Sequence, residues 1–224
     1  LTNKQSIRLN PAIADVTDTA VLVLAVKPQA MQDVLPQFAP LARGGALVLS
    51  IAAGKPIRFF EQYFAGAPIV RAMPNTPAAI GQGITAMYAN LQVSAQQQQL
   101  ATALMKSVGD VGWIKDEALM DPVTAVSGSG PAYVFLLIEA LARTGEKAGL
   151  DADFSYLLAK QTVSGAAALA AQSDQPASVL RENVTSPGGT TAAALEVLMR
   201  PDGLQRLMDE AVLAASRRSR DLAQ

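Results

Sequence analysis

The 224-residue chain contains no cysteine and no histidine. The first absence rules out a disulfide framework and a thiolate metal site. The second removes the commonest general acid–base residue and the commonest metal ligand together. Chemistry is left to carboxylates, lysine, hydroxyls, backbone dipoles or a cofactor. Neither sign of charge dominates: 18 Lys plus Arg stand against 19 Asp plus Glu, for a net charge of −1. Nucleic acid is therefore not expected as a partner. Leu1 to Asn10 is polar and lacks the apolar core of a signal peptide. No apolar stretch is expected to reach membrane-spanning length unbroken, since the Ala-rich run 159–171 is interrupted by Lys160, Gln161 and Ser164. These absences predict a soluble cytoplasmic protein with no membrane partner. No repeat of 20–50 residues is present.

Half of the residues are hydrophobic, enough for a substantial core. Short, continuous, β-branched runs at 20–26, 46–51 and 68–72 predict buried strands. Helical spacing at Met31, Val34, Leu35, Phe38 and Leu41, broken by Pro36 and Pro40, separates the first two, and a short helix over 57–64 follows the second. Strands alternating with helices imply βαβ units and a parallel sheet covered on both faces. Runs at 84–89 and 111–114 bracket a helix over 94–108 and extend the sheet. After about Pro122 the strand signal stops. Helices are predicted over 131–147, 153–171, 177–181, 191–199 and 202–222, with Pro131 in a first turn and Asp202 as an N-cap. The fold class is thus an α/β N-terminal domain followed by an all-α domain, with the boundary drawn at 1–120 and 121–224. Alanine-rich helices bury little area each, which predicts dimerisation through the helical half.

Three strand ends carry unusual loops, and ligands of open parallel sheets bind where strands end. These are Ala25-Val26-Lys27-Pro28, Ser50-Ile51-Ala52-Ala53-Gly54, and Arg71-Ala72-Met73-Pro74-Asn75-Thr76-Pro77. Small residues at 52–54 admit close approach by a ligand, Met73 offers an apolar face to a flat ring, and Asn75 suits either a turn cap or a bond to an amide. Lys27 suits a phosphate or a plain surface turn. Ser127-Gly128-Ser129-Gly130 before the long helix reads as an anion site or close backbone crossing, or else as a hinge with an N-cap. Glu139 reads as a partly buried proton donor or as one residue of a solvated face. Ser186-Pro187-Gly188-Gly189-Thr190-Thr191 combines glycine N–H groups, a helix start and two hydroxyls. It suits a small carboxylic acid, or an ordinary turn with Thr190 or Thr191 as N-cap.

Taken in order, the three strand-end loops, the start of the long helix at Ser127 to Tyr133, and Leu180 through Thr191 resemble pyrroline-5-carboxylate reductases over nearly the whole chain. The resemblance implies an oxidoreductase that reduces 1-pyrroline-5-carboxylate to L-proline by hydride transfer from NADPH or NADH, in proline biosynthesis. It implies a Rossmann-like cofactor domain and a helical substrate-binding and dimerisation domain. In that family helical domains interlock as homodimers, and dimers assemble into homodecamers. By resemblance, Ala25, Val26, Lys27, Pro28, Ile51, Ala52 and Ala53 contact the dinucleotide; Met73, Pro74, Asn75 and Asn183 approach it as well. Ser186, Gly188, Gly189, Thr190 and Thr191 form the substrate loop, with Thr191 as the catalytic hydroxyl nearest the ring nitrogen. No metal is implied. The family opens with a strand and a Gly-x-Gly-x-x turn, whereas Leu1 to Asn10 holds no glycine. The chain is expected to lack the first βαβ unit, roughly forty residues, and with it the choice between NAD and NADP. Two rival readings are another two-domain hydroxyacid or imine dehydrogenase and a catalytically incomplete oligomerisation scaffold. The first usually places a lysine on the long helix, and 131–142 has none.

Overall fold

A computed structural model describes residues 12–222. The glycine-free stretch Leu1 to Asn10 lies outside the described residues. The chain divides into two compact units, one running through Gly128 and taking in the chain again from Ala215, the other Ser129–Ala214. The division falls after Gly128, and the connector from Glu117 bonds to residues of the first unit, Glu117 to Arg71 and Ile57 and Asp121 to Ser219.

The first unit holds a five-stranded sheet in the order β1-β2-β3-β4-β5. The strands are β1 (Val21–Leu24), β2 (Leu47–Ser50), β3 (Ile69–Met73), β4 (Gly83–Ala89) and β5 (Gly109–Trp113). β1, β2 and β3 are parallel, with Leu24 opposite Ser50 and Ser50 opposite Arg71. β4 runs antiparallel to β3, with Val70 opposite Ala89, and β5 is parallel to β4. The parallel pairing of β1 to β3 is as the sequence predicts; β4, for which it sets no direction, reverses. Only a short 3₁₀ turn, Thr76–Ile80, joins β3 to β4, and a parallel crossover needs a dozen residues or more.

Side chains of a strand alternate between faces, and the sheet buries both. Val48 and Ile69 join Leu22, Met31, Leu35 and Phe60 on one side; Leu47, Leu49 and Val70 join Met87 and Ala101 on the other. The Met31–Leu41 region forms two short helices, α1 (Met31–Val34) and α2 (Ala39–Arg43), joined by a 3₁₀ turn that contains Pro36. α3 (Ile57–Glu61) follows β2, and α4 (Ala95–Lys106) lies between β4 and β5. α4 starts with a reciprocal capping box: Gln97 N–H donates to Ser94 Oγ at 3.2 Å, and Ser94 N–H donates to Gln97 Oε1 at 3.0 Å. Ser94→Ala is expected to cost about 1 kcal/mol, read as a lowered urea midpoint with unchanged slope.

The connector comprises a 3₁₀ turn (Glu117–Leu119), α5 (Met120–Val123) and a π-turn (Thr124–Gly128). α6 (Gly130–Lys147) then opens the second unit, followed by α7 (Ala152–Gln172), α8 (Ala177–Asn183), α9 (Thr190–Leu198) and α10 (Leu204–Leu222). Pro131 does occupy the first turn of α6. Asp202 does not cap α10: Gly203 precedes the helix and its carbonyl accepts from Leu207 N–H. The π-turn leads straight into α6, so 117–147 is a nearly continuous helical run. By length and composition that run is long and apolar enough to cross a membrane, which corrects the expectation that no stretch would be. In the second unit α6 and α7 cross closely at Gly145, where an added Cβ would lie 2.8 Å from Ser155 Oγ. Among its described residues only Ala142, Ser155 and Ala159 are buried.

Candidate functional site

Because β1, β2 and β3 are parallel and adjacent, their C-terminal loops emerge along one edge of the sheet. Ala25 to Pro28, Ile51 to Ala53 and Met73 to Asn75 are therefore neighbours in register order, as an open-sheet ligand site requires. After β1, Lys27 is exposed, precedes a 3₁₀ turn beginning at Pro28, and makes no ion pair among the described residues. After β2, Ser50 is fully buried and its Oγ accepts from Ala52 N–H at 3.3 Å. Ala52 is buried and Ala53 exposed. Gly54 has φ +72°, a conformation that a side chain would strain.

At the end of β3, Met73 is half-buried and faces Gly128 of the connector. A Cβ at Gly128 would lie 2.8 Å from Met73 Cε. The serine–glycine stretch is thus a close crossing at Gly128. Asn75 Oδ1 accepts from Ile84 N–H at 3.0 Å and closes the turn into β4. Its amide still has Nδ2 to donate.

The glycine–threonine loop belongs to the second unit. The N-cap of α9 is Gly189, not Thr190 or Thr191, and no side chain caps the helix. Thr190 N–H, Thr191 N–H and Ala192 N–H therefore lack intrahelical acceptors, and neither threonine hydroxyl has a partner among the described residues. Gly188 sits at φ +70°, and Gly189 N–H donates to the Ser186 carbonyl at 3.0 Å. Ser186, Gly188 and Thr190 are exposed; Gly189 and Thr191 are half-buried. This is a cluster of unspent donors at the positive end of a nine-residue helix, which favours a carboxylate. Thr185 upstream is committed, its hydroxyl donating to the Arg181 carbonyl at 2.6 Å. A cavity of about 390 Å³ between α8 and α9 is lined by Arg181, Thr185, Leu195 and Met199 among others, and not by the loop itself.

Asn183 ends α8, and its side-chain amide donates to Gln175 Oε1 at 3.2 Å. Glu139 lies on an exposed face of α6, paired with Arg143 at 2.8 Å, so its solvated-face reading holds. Among the described residues no group of His, Cys, Asp and Glu could hold a metal ion.

Sequence reasoning passed over Glu117. Its Oε1 accepts from Arg71 Nη1 at 3.0 Å and from Ile57 N–H at 2.8 Å. The readable signal was an arginine in the middle of an apolar strand, since a buried guanidinium demands an anionic partner. Its partner, 46 positions away, carried no local signature.

A family model described as pyrroline-5-carboxylate reductase dimerisation matches residues 117–222. The chain is 47% identical over 210 residues to pyrroline-5-carboxylate reductase of Pseudomonas aeruginosa, covering 93% of this chain and 77% of that protein. It superposes on the pyrroline-5-carboxylate reductase of Coxiella burnetii with a TM-score of 0.91 at 38% identity, covering 96% of this chain and 80% of that one. It superposes on the Plasmodium falciparum pyrroline carboxylate reductase structure, solved with NADP bound, with a TM-score of 0.78 at 35% identity, covering 92% and 78%.

Proposed function

This chain belongs to the pyrroline-5-carboxylate reductase family, and from that premise we infer that it reduces 1-pyrroline-5-carboxylate to L-proline with NADPH or NADH, in proline biosynthesis. The observation that carries the residue assignment is the uncapped start of α9, with two glycines before it and two threonine hydroxyls on it that have no partner among the described residues.

The donors Thr190 N–H, Thr191 N–H and Ala192 N–H hold the substrate carboxylate, and Ser186, Gly188 and Gly189 shape the loop around it. That anchorage fixes the ring, which is most of what an imine reduction asks of a protein, because a protonated C=N carbon is already strongly electrophilic. Thr191 Oγ1 hydrogen-bonds the ring nitrogen and relays a proton to it through water, consistent with a chain that has no histidine.

A dinucleotide fits the sheet edge. The adjacent C-terminal ends of three parallel strands, the left-handed Gly54 and the exposed Lys27, without an ion pair among the described residues, leave room and charge for one. When bound, the reduced nicotinamide supplies the hydride. Ala25, Val26, Lys27, Pro28, Ile51, Ala52 and Ala53 hold the dinucleotide. Met73, Pro74 and Asn75 border its ring, Asn75 through Nδ2. Asn183 is assigned to the same cofactor, at the cost of its bond to Gln175.

The helical unit makes the homodimer, supported by the matched dimerisation family and by apolar helices with almost no buried core. A decamer of five such dimers and a cytoplasmic location complete the reading. Thr191→Ala is expected to lower kcat/KM for the imine by about 10–100-fold, the loss of one hydrogen bond to a polar or charged group. Steady-state kinetics identical to the parent would remove Thr191 from the mechanism.

A further inference from the structure

We propose that Glu117 is a positioning residue for the dinucleotide, acting through Arg71 and Ile57 on the two loops that hold it. This rests on the assignment of the β2 and β3 loops to the cofactor. Arg71 is only 4% exposed and sits in the interior of β3, between the buried Val70 and Ala72. Its guanidinium meets Glu117 Oε1 at 3.0 Å, and the same oxygen accepts from Ile57 N–H at 2.8 Å.

Ile57 is the first residue of α3, which has Pro56 before it and no side-chain cap of its own. Glu117 therefore caps α3 from a distance, with its negative charge at the helix's positive end. Only residues 51–56 separate the end of β2 from this capped position. Arg71 stands two positions before Met73. A single carboxylate oxygen thus ties down the roots of both loops. The connector that Glu117 begins touches β3 a second time, where Gly128 meets Met73.

Stability alone does not require such a device. Buried ion pairs are often replaceable by apolar residues at little or no cost, whereas removing one partner leaves a stranded charge. The pair can thus be deleted as a unit. Arg71→Met with Glu117→Leu is expected to fold and to keep the parent oligomeric state while freeing both loops. NADPH titrated against the fluorescence of Trp113, the chain's single tryptophan, should then show about tenfold weaker binding. The KM for NADPH should rise in parallel, and the KM for the imine should stay within about twofold. Glu117→Gln keeps an acceptor for Ile57 N–H and should fall between, at about threefold.

Unchanged NADPH affinity in the double variant overturns the proposal, as do NADPH and imine constants that move together. If the double variant fails to fold, parent-like NADPH binding in Glu117→Gln overturns it equally. Ala53→Glu, placed directly in the β2 loop, separates the two levels. If it too leaves NADPH binding intact, the cofactor assignment is at fault; if it alone weakens binding, only the positioning role fails.

Discussion

Leu136→Glu combined with Leu157→Glu is expected to abolish the dimer and, with it, at least about 99% of activity. Leu136 on α6 and Leu157 on α7 are 60% and 51% exposed, so at least half of each is left uncovered. They belong to a broad set of uncovered apolar side chains that includes Phe135, Phe154, Leu207 and Leu213. With Ala142, Ser155 and Ala159 as its only buried described residues, the second unit has no core to sustain helices in water. Helices that gain little from their own packing need a partner's. Obligate interfaces of this kind bury on the order of 2,000 Å² or more, at roughly 25 cal/mol per Å² of apolar area. Two carboxylates placed in such an interface each cost several kcal/mol, because they lose water and gain no counter-charge. Light scattering should report a monomer, and far-UV circular dichroism a loss of helix. A variant that stays dimeric would show that these faces are not the interface. Burial of α6 in that interface is expected to account for much of the membrane-like composition of 117–147, since an interface core and a lipid-facing helix both call for continuous apolar surface.

The second large effect is expected at Gly189. Gly189→Val should lower kcat/KM for the imine by about 100–10,000-fold with little change in Tm. A Cβ at this position would collide with Ser186 Oγ and lie 3.1 Å from the Ser186 carbonyl oxygen. The serine hydroxyl can rotate away, but the carbonyl is main chain and part of the turn that Gly189 N–H closes. Valine's branches therefore displace the turn and crowd the N–H groups of Thr190 and Thr191. Two hydrogen bonds to a charged carboxylate are worth about 3–6 kcal/mol together, and each 1.4 kcal/mol is about tenfold in rate. The fold should tolerate the change, because the loop around it is largely exposed. Gly188→Ala is the companion control. Its φ of +70° exacts only about 1–2 kcal/mol of left-handed strain, so its effect should be smaller. Near-parent turnover by Gly189→Val would detach this loop from substrate binding.

Much of the architecture was readable because it is written in local periodicity. The five apolar runs are the five strands, displaced by a few residues at their ends, and Ser94 with Gln97 marks the start of α4 in residues three apart. Gly188, Gly189 and the two threonines announced a donor-rich helix start for a similar reason, since φ preference and missing side-chain volume are properties of the residue itself. The antiparallel turn of β4 was less legible, because strand direction depends on how little chain joins β3 to it.

Residue order alone determined that chemistry here would proceed without thiol or imidazole, that a sheet domain would precede a helical one, and that residues 186–191 would run through two glycines into the start of a helix. Tertiary structure decided what Arg71 pairs with, which glycine lets Met73 approach the connector, and that the helical unit buries almost nothing of its own. Those outcomes depend on atoms brought together across 46 or 60 positions of chain, or on surface left over after packing. Neither quantity exists until the backbone has closed on itself.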